Sequence, residues 1–534
     1  MDGTAGLDTN SGTSINTPRK SFAPMITSNR VPADCIINCK YGTVINGQLA
    51  TQTSVGTQTD SSLIIRAYGD SSLALPQINT RAGFKGFGIN SVLQISDVFI
   101  NQTISASVDV LNGQEGGAVS ALRCKVRGAW RNFVHSISRN TVVAFNDYSA
   151  TPDTALAPYN NNGVQIDAPA NLTTGLGAEG GVYVGFNVFN GVYGDGRIIP
   201  ANGKPAAGDV IALHDEQGAT TLATGSIIEY NYISGSVNEN AIDIQEDYGE
   251  TTVRFNIVEG AKQYAFQEGA PTAAFNTGGN LYYGNVIISS RAGIHPQNAN
   301  AVIVGNYIEC NLTYNACITT AATATNIKIV NNIIKDLGDN DTTEGMVDLF
   351  SGTTGVFANN LCYRREGTAT GTPPAVLKFR SGINKAAWTI NNNAYLLERD
   401  ASTANFCNDQ GTFKSYATYL ADNPTFDTAS LQGTTRTYFS VDPAMVPAVG
   451  SILFGAGVHV DVPFNVDLRG NPFRTPPAIG GYEQLNVFVQ VPTFRRTLRR
   501  SIISSPGTPS TTVTLLDTVS NILIDTAGDH IVEG

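Results

Sequence analysis

Between residues 182 and 394 the chain repeats one short pattern of apolar and polar positions. Each copy holds an alternating apolar segment and then a second one that closes on an asparagine followed by two or three apolar residues. The second segments occupy 182–189, 227–233, 253–258, 281–287, 302–308, 327–334, 356–361 and 388–394. Their asparagine recurs at Asn187, Asn231, Asn256, Asn285, Asn306, Asn332, Asn360 and Asn392, so that most spacings lie between 21 and 32 residues. That period is a solenoid period.

The residue types make the solenoid a β-solenoid. Val, Ile, Tyr and Phe in alternation suit pleated, half-buried strands, and the Gly, Asn and Asp between them break any helix. One coil cannot bury its apolar face alone, so coils stack about 4.8 Å apart and share ladder hydrogen bonds. Asparagine suits the bend because it tolerates left-handed backbone and bonds locally, and stacked amides can bond to one another up the column. On these segments the chain resembles the right-handed parallel β-helix proteins, the pectate-lyase-like group of polysaccharide lyases and bacteriophage tailspike depolymerases, over residues 60–485. The fold expected is all-β: a right-handed single-stranded parallel β-helix with an N-terminal cap and a C-terminal tail.

Residues 1–60 form an N-terminal segment, cap and first coil, the coil beginning at 34–44. The opening at 6–14 is similar to that of many secreted or phage β-helix enzymes, in which a capping helix follows. Room for such a helix exists only at 27–33, where Pro32 opposes it. The β-helix proper takes 61–395, with long insertions at 148–180 and 190–208 that project as loops and wall a groove. Residues 396–485 are an irregular excursion and the last coils, and their ending at 478–483 is similar to that of many β-helix proteins. Residues 486–534, with a basic run at 495–500, are a tail for oligomerisation or adaptor binding.

Composition narrows the function. Charged residues are 14% of the chain, against about 25% in average proteins, and the net charge of −11 argues against nucleic acid and against an anionic membrane surface. The seven cysteines form no CxxC pair and no zinc spacing. Cys310, Cys317 and Cys362 fall in strand-like segments as small apolar residues. No apolar run approaches membrane-spanning length, and the start lacks the basic and apolar regions of a signal peptide. A bacterial secreted lyase needs such a signal and a virion protein does not.

Aligning the first segment of each coil on Ile166, Leu213, Ile244, Phe266, Ile294, Ile318, Leu349 and Phe379 as inward residues places their flanks outward. One outward column reads Gln165, Ala212, Asp243, Ala265, Gly293, Cys317, Asp348, Lys378. Its neighbour reads Asp167, His214, Gln245, Gln267, His295, Thr319, Phe350, Arg380, and just beyond lie Asp215, Glu246 and Glu268. Glycoside hydrolysis needs two carboxylates, about 5–5.5 Å apart for retention or about 6.5–9.5 Å for inversion, and carboxylates on successive coils can meet either distance. Asp215, Glu246 and Glu268, assisted by Asp243 and His214, are therefore the expected acid–base cluster. His295, Gln245, Gln267, Asp348 and Arg380 are the expected substrate-binding residues. Elimination from a uronate would instead need a base and a cation, for which His214, His295, Lys378 and Arg380 are available, with Asp243 and Asp247 as calcium ligands. Hydrolysis requires no cofactor. The acidic stretch 336–341 lacks the spacing of an EF-hand loop and reads as a surface turn. Tyrosines at 230, 232, 248, 264, 282 and 283 cluster on these coils, and strand alternation puts about half of them inward.

The resemblance implies a tailspike-like protein that binds and hydrolyses a bacterial surface polysaccharide, O-antigen or capsule, as a homotrimer attached to other phage tail proteins. A receptor-binding fibre without activity and a secreted polysaccharide lyase are the other two expectations.

Overall fold

The computed structural model describes residues 1–25, 31–46, 55–56, 59–80, 83–102, 109–113, 117–128, 131–138, 140–151, 162–168, 181–193, 208–215, 224–245, 249–269, 279–311, 316–336, 345–364, 375–398, 405–464, 466–483, 522–524 and 531–533. The chain divides into two compact units, one spanning Met1–Tyr248 and the other starting at Gly249.

In the first unit every coil contributes one strand to each of three parallel sheets. The last complete coils run Thr141–Ala144, Asp147–Ala150 and Asn162–Ala168, then Tyr183–Gly185, Val188–Tyr193 and Ile211–Asp215, then Ile227–Glu229, Tyr232–Val237 and Ile242–Ile244. The second unit repeats the scheme from Thr252–Arg254, Ile257–Glu259 and Tyr264–Glu268 to Trp388–Asn391, Ala394–Leu397 and Cys407–Asp409. This is the expected parallel β-helix. Inside it the rows Val164, Ile211, Ile242 and Ile166, Leu213, Ile244 are fully buried and in register, as alternation requires. All seven cysteines are buried and unpaired. At the N-terminal end, residues 1–22 fold over the first coil: Asp2 accepts from Lys40 at 2.9 Å and Phe22 packs on Phe84. The short 3₁₀ turn Ala23–Met25 lies just before the place expected for a capping helix, most of which falls outside the described residues. Among the described residues no helix is long and apolar enough to cross a membrane.

The asparagine column is real, and its work differs from the expectation in two ways. Each side-chain oxygen accepts both the backbone N–H and the side-chain amide of the asparagine one coil earlier, at 2.9–3.2 Å, from Asn146 to Asn187 to Asn231. In the second unit the column runs Asn256, Asn285, Asn306, Asn332, Asn360, Asn393. The last rung is thus Asn393 and not Asn392. The left-handed residue is also not the rung but the residue before it: Phe145, Phe186 and Tyr230 have φ of 60°, 57° and 52°, and Asn331, Asn359 and Asn392 have 56°, 58° and 54°. The rung is selected for its amide, which satisfies buried backbone groups, while the residue before it turns the corner.

That corner is treated differently in the two units. In the first, Phe145, Phe186 and Tyr230 stack with ring centroids 5.0 and 4.8 Å apart. In the second, the corner residues Asn331, Asn359 and Asn392 donate their amides to the carbonyls of Ala478, Val458 and Ala456. Residues 456–464 and 466–483 thus lie across these corners as a strap, and Phe464 stacks on Tyr283 at 4.8 Å. Before the strap, the excursion after Leu397 holds an antiparallel hairpin, Cys407–Asp409 with Thr412–Lys414, and the helix Tyr416–Asp422, capped by Ser415.

Candidate functional site

The third sheet of the first unit gathers the titratable side chains. Its register sets Asn112, His135, Gln165, Ala212 and Asp243 in one outward column and Asp167 beside His214 in the next. Where each strand begins, a second ladder runs up the turn: Asn162 N–H donates to Asn132 Oδ1 at 3.1 Å, Asp209 N–H to Asn162 Oδ1 at 2.9 Å, and Asn240 N–H to Asp209 Oδ1 at 2.9 Å. Asp209 is the rung of this ladder that brings a negative charge, and its other oxygen turns to the sheet face.

Two histidine–carboxylate clusters result. His135 Nε2 meets Asp167 at 2.6 Å and its Nδ1 meets Asp109 at 3.3 Å, while Arg131 also holds Asp109 at 2.8 Å. Two coils on, His214 Nε2 lies 3.7 Å from Asp209 and 3.5 Å from Asp243, ion-pair distances longer than hydrogen bonds. Burial alone would discharge both rings. The paired carboxylates outweigh it, raising His135 to about 9 and His214 to about 10. Burial works to raise Asp109, but His135 and Arg131 hold it down at about 2.

Beside the second cluster the balance reverses. Burial and the Asp243 charge raise Asp209 to about 6, His214 offsetting them only in part. Glu239, in the turn before Ile242–Ile244 and half-buried, is raised to about 7 by burial and by the charges of Asp209 and Asp243. A carboxylic acid whose proton affinity is raised toward neutrality beside other carboxylates is an arrangement that general acid–base chemistry uses. Asp209 and Glu239 were not among the expected site residues. Both sit in turns, where a map built on strand alternation does not reach.

Of the expected cluster, His214 and Asp243 come together, and Gln245 donates to Asp243 Oδ2 at 3.0 Å. Asp215 ends the strand Ile211–Asp215, and Glu246 lies outside the described residues. Glu268 does not face solvent. It is fully buried in the second unit, accepting from Asn280, Tyr282 and the backbone N–H groups of Gln297 and Asn298 at 2.6–2.9 Å. With Phe266 inward and Gln267 outward, alternation returns position 268 to the interior.

The outward column of the second unit also needs correction, because Ile318 pairs with Val347 and not with Leu349. The column is therefore Gln267, His295, Thr319, Asp348, Lys378. His295 stacks on Tyr264 with centroids 4.8 Å apart and bonds the Thr319 carbonyl through Nδ1, and burial lowers its pKa. Asp348 is fully buried beneath Arg380, at 2.5 Å, with Lys378 at 3.9 Å, and the Arg380 guanidinium covers the Phe350 ring. Most of 336–341 is outside the described residues; Asp336 itself is buried.

Asp209, His214 and Asp243 offer ligand atoms within 4.8 Å of one another. Among the described residues, His214 Nε2 and Asp243 Oδ1 are buried without a hydrogen-bond partner. An imidazole with two carboxylates is a donor set that suits a divalent cation in place of the ring proton.

No protein-family profile matches the chain, and no curated protein matches it. Solved structures of similar shape include a PL6 alginate lyase in complex with a trisaccharide, at 12% identity over 76% of this chain and 91% of that one, TM-score 0.42. A tailspike protein of E. coli bacteriophage HK620 is similar at 11% identity over 72% and 67%, TM-score 0.38. Pectate lyase Pel9A is similar at 14% identity over 90% and 95%, TM-score 0.33.

Proposed function

We propose that the chain is a polysaccharide depolymerase of tailspike type, which hydrolyses glycosidic bonds at the third-sheet face of its first unit. One observation carries the reading: Glu239 gathers with Asp209, His214 and Asp243 from successive coils on one edge, and among the three carboxylates Glu239 alone is half-exposed, with its proton affinity raised to about 7. In hydrolysis Glu239 gives that proton to the leaving sugar oxygen, and the Asp243 carboxylate takes a proton from the attacking water as it adds to the sugar carbon. The His214 imidazolium sits between Asp209 and Asp243, 3.7 and 3.5 Å from them, and positions both. Asp215 and Glu246, on the same two coils, belong to the acidic edge by sequence. The trimer and the attachment to a phage tail are part of the same proposal, and the mass of the full chain in solution tests the first.

The functional test is a reducing-end assay on bacterial surface polysaccharide, read together with the ultraviolet absorbance of unsaturated uronate. New ends without absorbance, lost in Glu239→Gln, are expected. New ends with absorbance would instead identify a lyase, and no new ends a binding fibre.

A further inference from the structure

We infer that Asp209, His214 and Asp243 bind a divalent cation of the zinc class, held in four-coordinate geometry on the third sheet of the first unit. The inference stands on the geometry of these three side chains and not on the hydrolase reading.

Both histidine clusters of this unit set one imidazole between two carboxylates, and they are built differently. At His135 the carboxylates take different ring nitrogens, Asp167 meeting Nε2 at 2.6 Å and Asp109 meeting Nδ1 at 3.3 Å, and Arg131 adds a positive charge 2.8 Å from Asp109. Both nitrogens are thus engaged, and a cation there would face the guanidinium. At His214 the two carboxylates turn to one and the same nitrogen, Nε2, from 3.7 Å for Asp209 Oδ2 and 3.5 Å for Asp243 Oδ2. A single ring N–H has one proton to give, and neither separation is a hydrogen bond. Among the described residues, His214 Nε2 accordingly has no hydrogen-bond partner, and neither does Oδ1 of Asp243, a residue only 4% exposed.

These separations are those of ligands around a metal. Tetrahedral zinc with bonds of about 2.0–2.2 Å sets its ligand atoms about 3.3–3.6 Å from one another, close to the 3.5 and 3.7 Å found here. The carboxylates are also held from behind, as ligating carboxylates are. Asn240 N–H donates to Asp209 Oδ1 at 2.9 Å, which leaves Oδ2 turned to the ring, and Gln245 donates to Asp243 Oδ2 at 3.0 Å, which leaves Oδ1 for the cation. Calcium prefers six to eight oxygens, whereas one imidazole with two carboxylates suits zinc. Three protein ligands leave a fourth position to water or a sugar hydroxyl. The cation would use the carboxylate that the hydrolase reading gives to the attacking water, so on that reading zinc blocks turnover.

The test titrates zinc chloride by calorimetry into the metal-free full chain, with calcium chloride in parallel, and records X-ray absorption on the zinc-loaded protein. One zinc per chain is expected, bound far more tightly than calcium, in a four-coordinate shell of one imidazole nitrogen and three oxygens. His214→Gln should weaken zinc binding by about 10²-fold or more, while His135→Gln keeps the wild-type affinity. No zinc binding, calcium bound as tightly as zinc, a shell with two imidazoles or none, or undiminished affinity in His214→Gln would each overturn the inference. Zinc that binds as expected and leaves the reducing-end assay unchanged would overturn Asp243 as the base of hydrolysis and leave the metal site standing.

Discussion

The third-sheet faces of the two units both carry histidines and give them opposite characters. In the first unit His135 and His214 each sit between two carboxylates and stay charged, and the acid beside His214 has been pushed toward neutrality. In the second, His295 lies flat on Tyr264, gives its hydrogen to a carbonyl, and is kept neutral. Its acids are neutralised too: Asp348 lies beneath Arg380 and Lys378, and Glu268 is saturated with donors in the interior. The strand pattern is the same in both. What differs is the coil on either side, so chemistry on this scaffold is set by stacking neighbours and not by the strand that bears the residue.

The largest expected effect is on turnover. Glu239→Gln should lower the rate of depolymerisation by about 10²–10⁴-fold with an unchanged melting temperature, because the amide keeps the shape and loses only the proton. An equal loss of turnover from Glu268→Gln, in protein that remains folded, would erase the contrast between the faces. Asp348→Ala should instead cost stability, about 3–5 kcal/mol by denaturant titration, since it strands Arg380 and Lys378 over a buried hole. Glu268→Gln should cost about 1–3 kcal/mol, as the amide turns a donor toward groups that already donate to the carboxylate.

The smallest effect is the most diagnostic. His135 and His214 bind their protons more tightly folded than unfolded, so their contribution to stability is complete below about pH 6.5 and is lost as the pH rises through about 9 and about 10. Asp209 and Glu239 bind protons more tightly in the fold as well, so they also disfavour it as pH rises, through about 6 and about 7. His295, held below its ordinary value, contributes above about pH 6.5 and loses that contribution as the pH falls. Proton NMR of the histidine rings at pH 7.5 should therefore show 135 and 214 charged and 295 neutral. Three rings titrating together near pH 6.5 would break the comparison.

The coil architecture was legible because it repeats: eight asparagines beside apolar segments announce a stack, and one misplaced rung does not hide it. The slip to Asn392 has a local cause, since Asn391, Asn392 and Asn393 are consecutive and only the geometry of the corner separates the residue that turns from the residue that bonds. The candidate cluster was legible where it lies on strands, since His214 and Asp243 do come together. Asp209 and Glu239 escaped because turns have no period from which a direction can be read. Glu268 was misjudged for a simpler reason: its charge suggested solvent, while its parity and four donors take it inside. The two-residue slip between Ile318 and Val347 follows from short strands, which fix which face a residue takes but leave register to the intervening loop.

The amide column also bears on how such a chain changes length over generations. Each rung meets its neighbours through the same four atoms, so a rung cannot distinguish the coil originally beside it from the next one along. Excising 285–305 would remove Val286–Ser290, Ala292–His295 and Val302–Val304, one strand from each sheet, and would join the left-handed Gly284 to Asn306 as Gly305 now is. Asn256 would then find an identical acceptor at the same separation of 29 residues. Duplication and loss of entire coils are thereby nearly neutral to the backbone, and a lineage can lengthen or shorten its sheets without redesigning the parts on either side of the cut.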